Sequence, residues 1–330
     1  MKMNRNTIPV TIITGFLGSG KTTLLNNIIG KYSDRKFAVI ENEFGDIGID
    51  GGLILDEVQN IFELTNGCIC CSLQGDFINT IESLLESSYQ FDHLLIETTG
   101  IADPDSIVNA FISTEMLQEK FIIDSVICVA DAVNIEDFID EQREVRKQMA
   151  LADQILLNKA DSVRPAYINE LIQQIRSINP LAKCDAVSYS NISTISILDN
   201  YSFTGASIEK TTNDFPLPGG LMLDKNRLLN AHDITSEAFI IHGDIDLDKF
   251  KTWMSGFLFF NGHAIFRVKG ILSIYDSNLQ SIFQAVKNSY KFEDGKSWGE
   301  QERYSKFVFI GKHLDRQMIE KSLAELVIKN

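Results

Sequence analysis

The amino-terminal half of the chain alternates short, nearly continuous apolar runs with longer stretches of helical spacing. Val10-Thr11-Ile12-Ile13-Thr14, Phe37-Ala38-Val39-Ile40, His93-Leu94-Leu95-Ile96, Ser125 to Ala130, Gln154 to Leu157 and Lys183 to Ser188 read as strands, with weaker signals at Leu53-Ile54-Leu55 and Ile61 to Leu64. A run that is apolar throughout, rather than at every second residue, marks a strand covered on both faces. Between these runs, Leu24 to Ile29, Phe77 to Leu85, Gln142 to Leu151 and Ala166 to Ile178 carry apolar residues at helical intervals. The alternation predicts an α/β domain, a mostly parallel sheet covered by helices. In such sheets ligands gather at the carboxyl ends of the strands.

The pattern breaks down after residue 190. Residues 191–231 are dominated by Ser, Thr, Asn and Gly, and read as a connection between domains. Strand signals then resume at Ser236 to Ile241, Ala264 to Lys269, Ile271 to Tyr275 and Phe307 to Ile310. Helical spacing appears at Leu247 to Leu258, Arg316 to Leu326 and Leu279 to Val286. The expected organisation is therefore an α/β domain over 1–190, a linker over 191–231 and a smaller α+β domain over 232–330.

Chemistry concentrates where the first predicted strand ends. Gly15-Phe16-Leu17-Gly18-Ser19-Gly20-Lys21-Thr22-Thr23 fits the G-x-x-x-x-G-K-[ST] pattern, in the strand–turn–helix context the pattern requires. Gly15, Gly18, Ser19 and Gly20 let backbone amides close around phosphate oxygens, and the following helix adds its partial positive charge. Lys21 can reach the β- and γ-phosphates, the Thr22 hydroxyl can sit on Mg²⁺, and Thr23 completes the loop. A later strand ends in Asn158-Lys159-Ala160-Asp161. The Asp161 carboxylate can accept from the N1–H and amino group of guanine, a donor pair that adenine lacks. Ala186-Val187-Ser188 follows the next strand and can lend amides to the guanine oxygen. The expected nucleotide is GTP.

Two acidic segments complete the phosphate end. Glu97-Thr98-Thr99-Gly100 stands where Glu97 can hold Mg²⁺ through water and the Gly100 amide can meet the γ-phosphate. Glu41, Glu43 and Asp46 follow the second strand, and are candidates for Mg²⁺, for a transported metal or for the attacking water; sequence does not divide these roles. Cys68, Cys70 and Cys71 form a separate cluster after the Asn66-Gly67 turn. Zn²⁺ favours four ligands and thiolate sulfur. Three thiolates with no fourth Cys or His nearby suit an exchangeable metal better than a closed structural site. Cys128 and Cys184 stand alone in apolar runs and read as small core residues.

Composition narrows the partners. A 44% apolar and 23% charged chain can build a packed core. The net charge of −15 and the absence of a dense Lys/Arg block disfavour nucleic acid. No apolar run approaches the roughly 20 residues of a membrane-spanning helix, and the amino-terminal apolar segment runs into the phosphate loop without a cleavage site. Cytoplasmic residence is expected, and three clustered cysteines of five do not suggest a disulfide framework. The sequence does not indicate an oligomeric state.

Taken together, the Gly15-to-Thr23, Glu41-to-Gly45, Asn66-to-Cys71, Glu97-to-Pro104 and Asn158-to-Asp161 motifs resemble those of the CobW-type metallochaperone GTPases. Phe257-Leu258 to Gly270, Trp298-Gly299 and Phe307 to Gly311 are similar to that family's carboxyl-terminal domain. The resemblance implies GTP hydrolysis coupled to delivery of Zn²⁺, or cobalt in some members, to a metal-requiring client protein. It also implies that Cys68, Cys70 and Cys71 are ligands. The chain lacks the histidine-rich stretch of many members, and a histidine that some carry in the segment matching Ser113-Thr114-Glu115. The alternatives are a nucleotide-gated binding module with little turnover, or a P-loop kinase with a structural zinc.

Overall fold

The computed structural model describes residues 7–41, 61–65, 74–100, 104–208 and 234–328. Contacts divide the chain into two compact units. One holds residues 3–174 and 182–201; the other holds 202–330 together with 175–181.

The first unit is built on a seven-stranded sheet in the order β3-β2-β4-β1-β5-β6-β7, parallel throughout. Its strands are β1 (Ile8–Thr14), β2 (Phe37–Glu41), β3 (Ile61–Thr65), β4 (His93–Glu97), β5 (Phe121–Asp131), β6 (Gln154–Asn158) and β7 (Lys183–Ala186). The helices are α1 (Lys21–Lys31), α2 (Gln74–Glu86), α3 (Asp105–Ser113), α4 (Glu115–Lys120), α5 (Ile135–Glu141), α6 (Arg143–Leu151) and α7 (Pro165–Ile178). The expected parallel sheet and its crossover helices are thus present, with α3, α4 and α5 as further elements. Leu24, Leu25, Ile28 and Ile29 form the buried stripe of α1, packed with Ile13, Val39, Leu95, Val129 and Leu156 of the sheet. Each such side chain contributes about 1.5–3 kcal/mol by leaving water. This stripe holds the start of α1 at the carboxyl edge of the sheet. The strand signal at 53–55 lies outside the described residues.

Residues 191–208, read from sequence as part of a connection, carry packed side chains. Ile192, Ile197 and Leu198 join the α1 cluster of the first unit, whereas Ile208 is buried with Ile271, Ile282 and Trp298 of the second. The remaining residues of that stretch, 209–231, lie outside the described residues.

The second unit carries an antiparallel five-stranded sheet in the order β11-β10-β9-β12-β8. The strands are β8 (Ile234–His242), β9 (Ile265–Ser273), β10 (Leu279–Val286), β11 (Ser289–Ser297) and β12 (Tyr304–Lys312); the helices are α8 (Leu247–Asn261) and α9 (Arg316–Ala324). Phe250, Met254, Phe257 and Leu258 of α8 pack with Val268, Phe283, Phe307 and Phe309 of the sheet. The Asp246 carboxylate caps the helix by accepting from the Asp248 and Lys249 amides. Two expectations are corrected here. The two strands expected at 264–269 and 271–275 are one strand, β9, because Gly270 is not a break. A Cβ there would lie 2.7 Å from the Phe307 ring, so glycine admits that ring. The helix-like stretch Leu279 to Val286 is strand β10, paired with β9 and β11. Leu279, Ile282, Phe283 and Val286 have helical spacing only because both faces of the strand carry apolar residues: Phe283 joins the α8 core, and Ile282 the opposite cluster.

Candidate functional site

The phosphate loop takes its shape from its glycines. Gly15 has φ +140° and Gly20 φ +106°, conformations that L side chains rarely adopt. A Cβ on Gly15 would lie 2.2 Å from Val129 O, and one on Gly20 would lie 2.4 Å from Asn158 Nδ2. The loop turns through Ser19 N to Phe16 O at 3.2 Å, and α1 begins at Lys21 with no side-chain cap. The first-turn amides of a helix have no intrahelical acceptor, and so suit an anion. Ser19 Oγ is buried with no partner among the described residues, another polar atom turned into the cradle. Lys21 is buried and donates from Nζ to Phe16 O at 3.3 Å.

Parallel pairing brings the acidic strand ends to this loop. Glu97 lies in register with Ile13 of β1 and with Glu41 of β2, and Glu41 is in turn opposite Thr65 of β3. The Thr22 hydroxyl donates to Glu97 Oε1 at 3.1 Å. A threonine hydroxyl beside a carboxylate is the hard-oxygen donor set that Mg²⁺ takes alongside phosphates. Glu41 is buried in the adjacent strand. Thr98 N donates to Ile13 O and Thr98 Oγ1 to Thr14 Oγ1, pinning the start of the Thr98-to-Gly100 segment to β1. Gly100 is buried directly against Leu17. Glu43, Asp46, Cys68, Cys70 and Cys71 lie outside the described residues. Among the described residues no group of three or more His, Cys, Asp or Glu could hold a metal, and no helix is long and apolar enough to cross a membrane.

The Asn158-to-Asp161 loop is tied to the phosphate loop through Asn158. Its Nδ2 donates to Ser19 O at 2.8 Å, and its Oδ1 accepts from Ser190 N at 2.8 Å. Ser190 Oγ donates to Gly20 O at 3.0 Å, so one amide and one hydroxyl join three segments distant in sequence. Lys159 has φ +60° and its Nζ lies 2.8 Å from Asp131 Oδ2. Burial would raise the Asp131 pKa, but hydrogen bonds from Lys159, Asn134 and the Val133 amide outweigh it and hold the carboxyl below its ordinary value. Asp161 is exposed, with its backbone N–H donating to Ser188 Oγ at 3.2 Å. Of the amides offered by 186–188, that of Val187 is committed to Leu157 O at 2.9 Å. Sequence reasoning passed over Ser190 and Asp131. Asp131 carried a signal, an acid at the end of a buried strand; Ser190 carried none.

The lone cysteines differ. Cys128 is buried and its thiol is pushed up to about 12 by burial, whereas Cys184 is half-buried. Cys128 fits the expected core role.

Comparison with known proteins places this geometry. The profile of the CobW/HypB/UreG nucleotide-binding domain matches residues 9–185, more than half of the chain. The chain belongs to the CobW/HypB/UreG family. The profile of the cobalamin synthesis protein cobW carboxyl-terminal domain matches residues 234–327 as well. Among CobW-type relatives, the chain is 34% identical over 329 residues to the zinc chaperone YjiA of Escherichia coli, covering 97% of this chain and 99% of that one. It is 30% identical to the zinc-regulated GTPase metalloprotein activator 1 of Saccharomyces cerevisiae, over 96% of this chain and 82% of the relative. The crystal structure of Zn(II)-bound YjiA GTPase from E. coli superposes with a TM-score of 0.74 at 29% identity, over 98% of this chain and all of that one.

Proposed function

We propose that this chain is a GTP-hydrolysing metallochaperone that carries zinc, or a similar transition metal, on Cys68, Cys70 and Cys71 and delivers it to a metal-requiring client protein. The observation that carries the reading is the Thr22–Glu97 hydrogen bond at the foot of the phosphate loop, in a chain similar over nearly its whole length to a zinc chaperone. Gly15, Gly18, Ser19, Gly20 and Thr23 form the phosphate cradle, and Lys21 neutralises phosphate charge. Thr22 and Glu97 are the oxygen donors for Mg²⁺, which when bound draws charge from the β- and γ-phosphates. Gly100 offers its amide to the γ-phosphate. Glu41 and Asp46 are the candidates for positioning the attacking water, and Asn158, Lys159, Asp161 and Ser188 hold the guanine end.

The zinc reading is supported by ligand chemistry and by topology. Strand β3 ends at Thr65, one strand beyond Glu41 and two beyond Glu97. Adjacent strands are spaced about 4.8 Å apart, so the chain sets out toward the three cysteines roughly 10 Å from Glu97. We place the GTPase domain at 1–190, extended by the segment up to 201 that packs on it, and the CobW-type domain at 232–330, and assign the protein to the cytoplasm.

Turnover and transfer test the reading together. The purified chain should hydrolyse GTP slowly with Mg²⁺ and lose that activity in Lys21→Ala, while Cys70→Ser should release zinc to a chromogenic chelator without loss of GTP binding. Undiminished turnover in Lys21→Ala, or zinc retention unchanged in Cys70→Ser, would refute the corresponding half.

A further inference from the structure

Gly100 occupies a position that only glycine fits. A Cβ there would come 2.5 Å from the Leu17 amide nitrogen and 2.6 Å from Leu17 Cγ. Glycine, however, has the widest backbone freedom of any residue. Steric fit against Leu17 therefore leaves the orientation of its flanking peptides undefined, although the Gly100 amide must point consistently for a phosphate to use it. The missing restraint comes from α6. Gln148, with no solvent exposure, donates from Nε2 to Gly100 O at 3.1 Å in a buried contact. Its helix is itself fixed, because Val145 and Met149 on either side are buried. Upstream, Thr98 is bonded to β1 through both its amide and its hydroxyl. The segment is thus held on both sides of the Gly100 amide, by β1 before it and by Gln148 after it.

We propose that Gln148 is a positioning residue for nucleotide hydrolysis: by fixing the Gly100 carbonyl it presets the Gly100 amide for the γ-phosphate, and so favours the triphosphate over the diphosphate. The inference rests on the reading of the chain as a GTPase. Gln148 acts through Gly100 and touches no nucleotide. The competing role, satisfaction of a buried carbonyl, would lower stability without altering the preference between GTP and GDP.

Gln148→Leu and Gln148→Glu in the full chain separate these roles. Affinities for GDP and for a non-hydrolysable GTP analogue are measured with single-turnover hydrolysis and urea unfolding. Gln148→Leu should bind GDP within about twofold of the parent, but lose roughly tenfold in analogue affinity and in hydrolysis, less than the 10²–10³ expected for removing a transition-state donor itself. Gln148→Glu keeps the shape but cannot donate when ionised. A buried carboxyl is shifted upward, so its hydrolysis relative to the parent should recover between about pH 8 and about pH 6. Equal losses for GDP and analogue, or an unchanged analogue-to-GDP ratio in folded Gln148→Leu, would overturn the proposal. If Gln148→Leu does not fold, a flat relative pH profile in Gln148→Glu overturns it. A parent chain that hydrolyses no GTP would instead refute the GTPase reading, while the analogue-to-GDP ratio still decides the role of Gln148.

Discussion

Asp161 presents an exposed carboxylate, and its own backbone amide is anchored on Ser188 Oγ. Lys159, held by Asp131, and Asn158, bonded to Ser19 and Ser190, tie the loop to the end of β5 and to the phosphate loop. In the proposed GTPase, a carboxylate so placed can accept two guanine donors. Asp161→Asn exchanges one acceptor for a donor, which guanine opposes and xanthine matches. GTP binding should weaken by about 1.5–3 kcal/mol, the scale of a hydrogen bond to a charged group, which is roughly ten- to a hundredfold. Xanthosine triphosphate should gain in the same variant. Competition titrations against both nucleotides check this, and equal affinity of the parent for ATP and GTP would remove the base-reading role. These residues were legible in sequence because a phosphate loop requires glycine at fixed positions and a base-reading loop requires fixed side chains. Gln148 and Ser190 were not legible, since their roles come from contacts 48 residues away with Gly100 and 170 residues away with Gly20.

The strands show a different limit. Hydrophobic pattern found the parallel strands because burial on both faces leaves few polar positions. The same two-faced burial disguised β10, where Phe283 and Ile282 serve opposite clusters. Polar β11, with Lys291, Glu293, Asp294 and Lys296 along an edge strand, offers only Tyr290 and Phe292 as apolar positions, too short an alternation to mark a strand. Strand β5 carries a further feature that periodicity cannot show. Its pairing with β1 shifts between Ile123 and Ser125, leaving Asp124 as the extra residue of a bulge. Asp124 Oδ2 accepts from Thr11 Oγ1 at 3.2 Å and Oδ1 from Tyr201 N at 2.6 Å; Thr11 Oγ1 also lies 2.8 Å from His93 Nε2. Burial, aided by Arg35 and opposed by Asp199, pushes His93 down to about 3. Burial pushes Asp124 up to about 6 against the hydrogen bonds from Tyr201 and Thr11. A base with a depressed folded pKa stabilises the fold above its unfolded 6.5 and loses that contribution as pH falls toward 3. An acid with a raised folded pKa favours the fold below its unfolded 3.8 and loses that contribution as pH rises through 6. Between about pH 4 and about pH 6 the two slopes oppose and nearly cancel. In His93→Gln the Asp124 slope stands alone. Relative to the parent, the variant should therefore gain stability on acidification across that window, by up to about 1.4 kcal/mol per pH unit. Urea unfolding at several pH values gives the difference directly, and a constant offset between variant and parent would exclude the compensation.

At the scale of the molecule, the row Thr65, Glu41, Glu97 and Ile13 crosses four adjacent strands from the approach to the cysteines to the phosphate loop. A change at the γ-phosphate has a short path through that row: Glu97 at the end of one strand with Gly100 three residues beyond it, Glu41 on the next, the exit of β3 after it. In the proposed chaperone the metal must be held in one nucleotide state and yielded in another. A ligand shifts such an equilibrium only by its different affinity for the two states. Any effect of nucleotide on zinc must then be matched by an equal effect of zinc on nucleotide. The expected coupling is about 1–3 kcal/mol, a five- to 150-fold change in zinc affinity. Zinc titrations of the nucleotide-free, GDP-bound and GTP-analogue-bound protein measure one side of the cycle, and GTP-analogue titrations with and without zinc measure the other. The two factors must agree. Identical zinc affinities in all three states would leave a metal that pins the loop and would remove nucleotide-driven delivery.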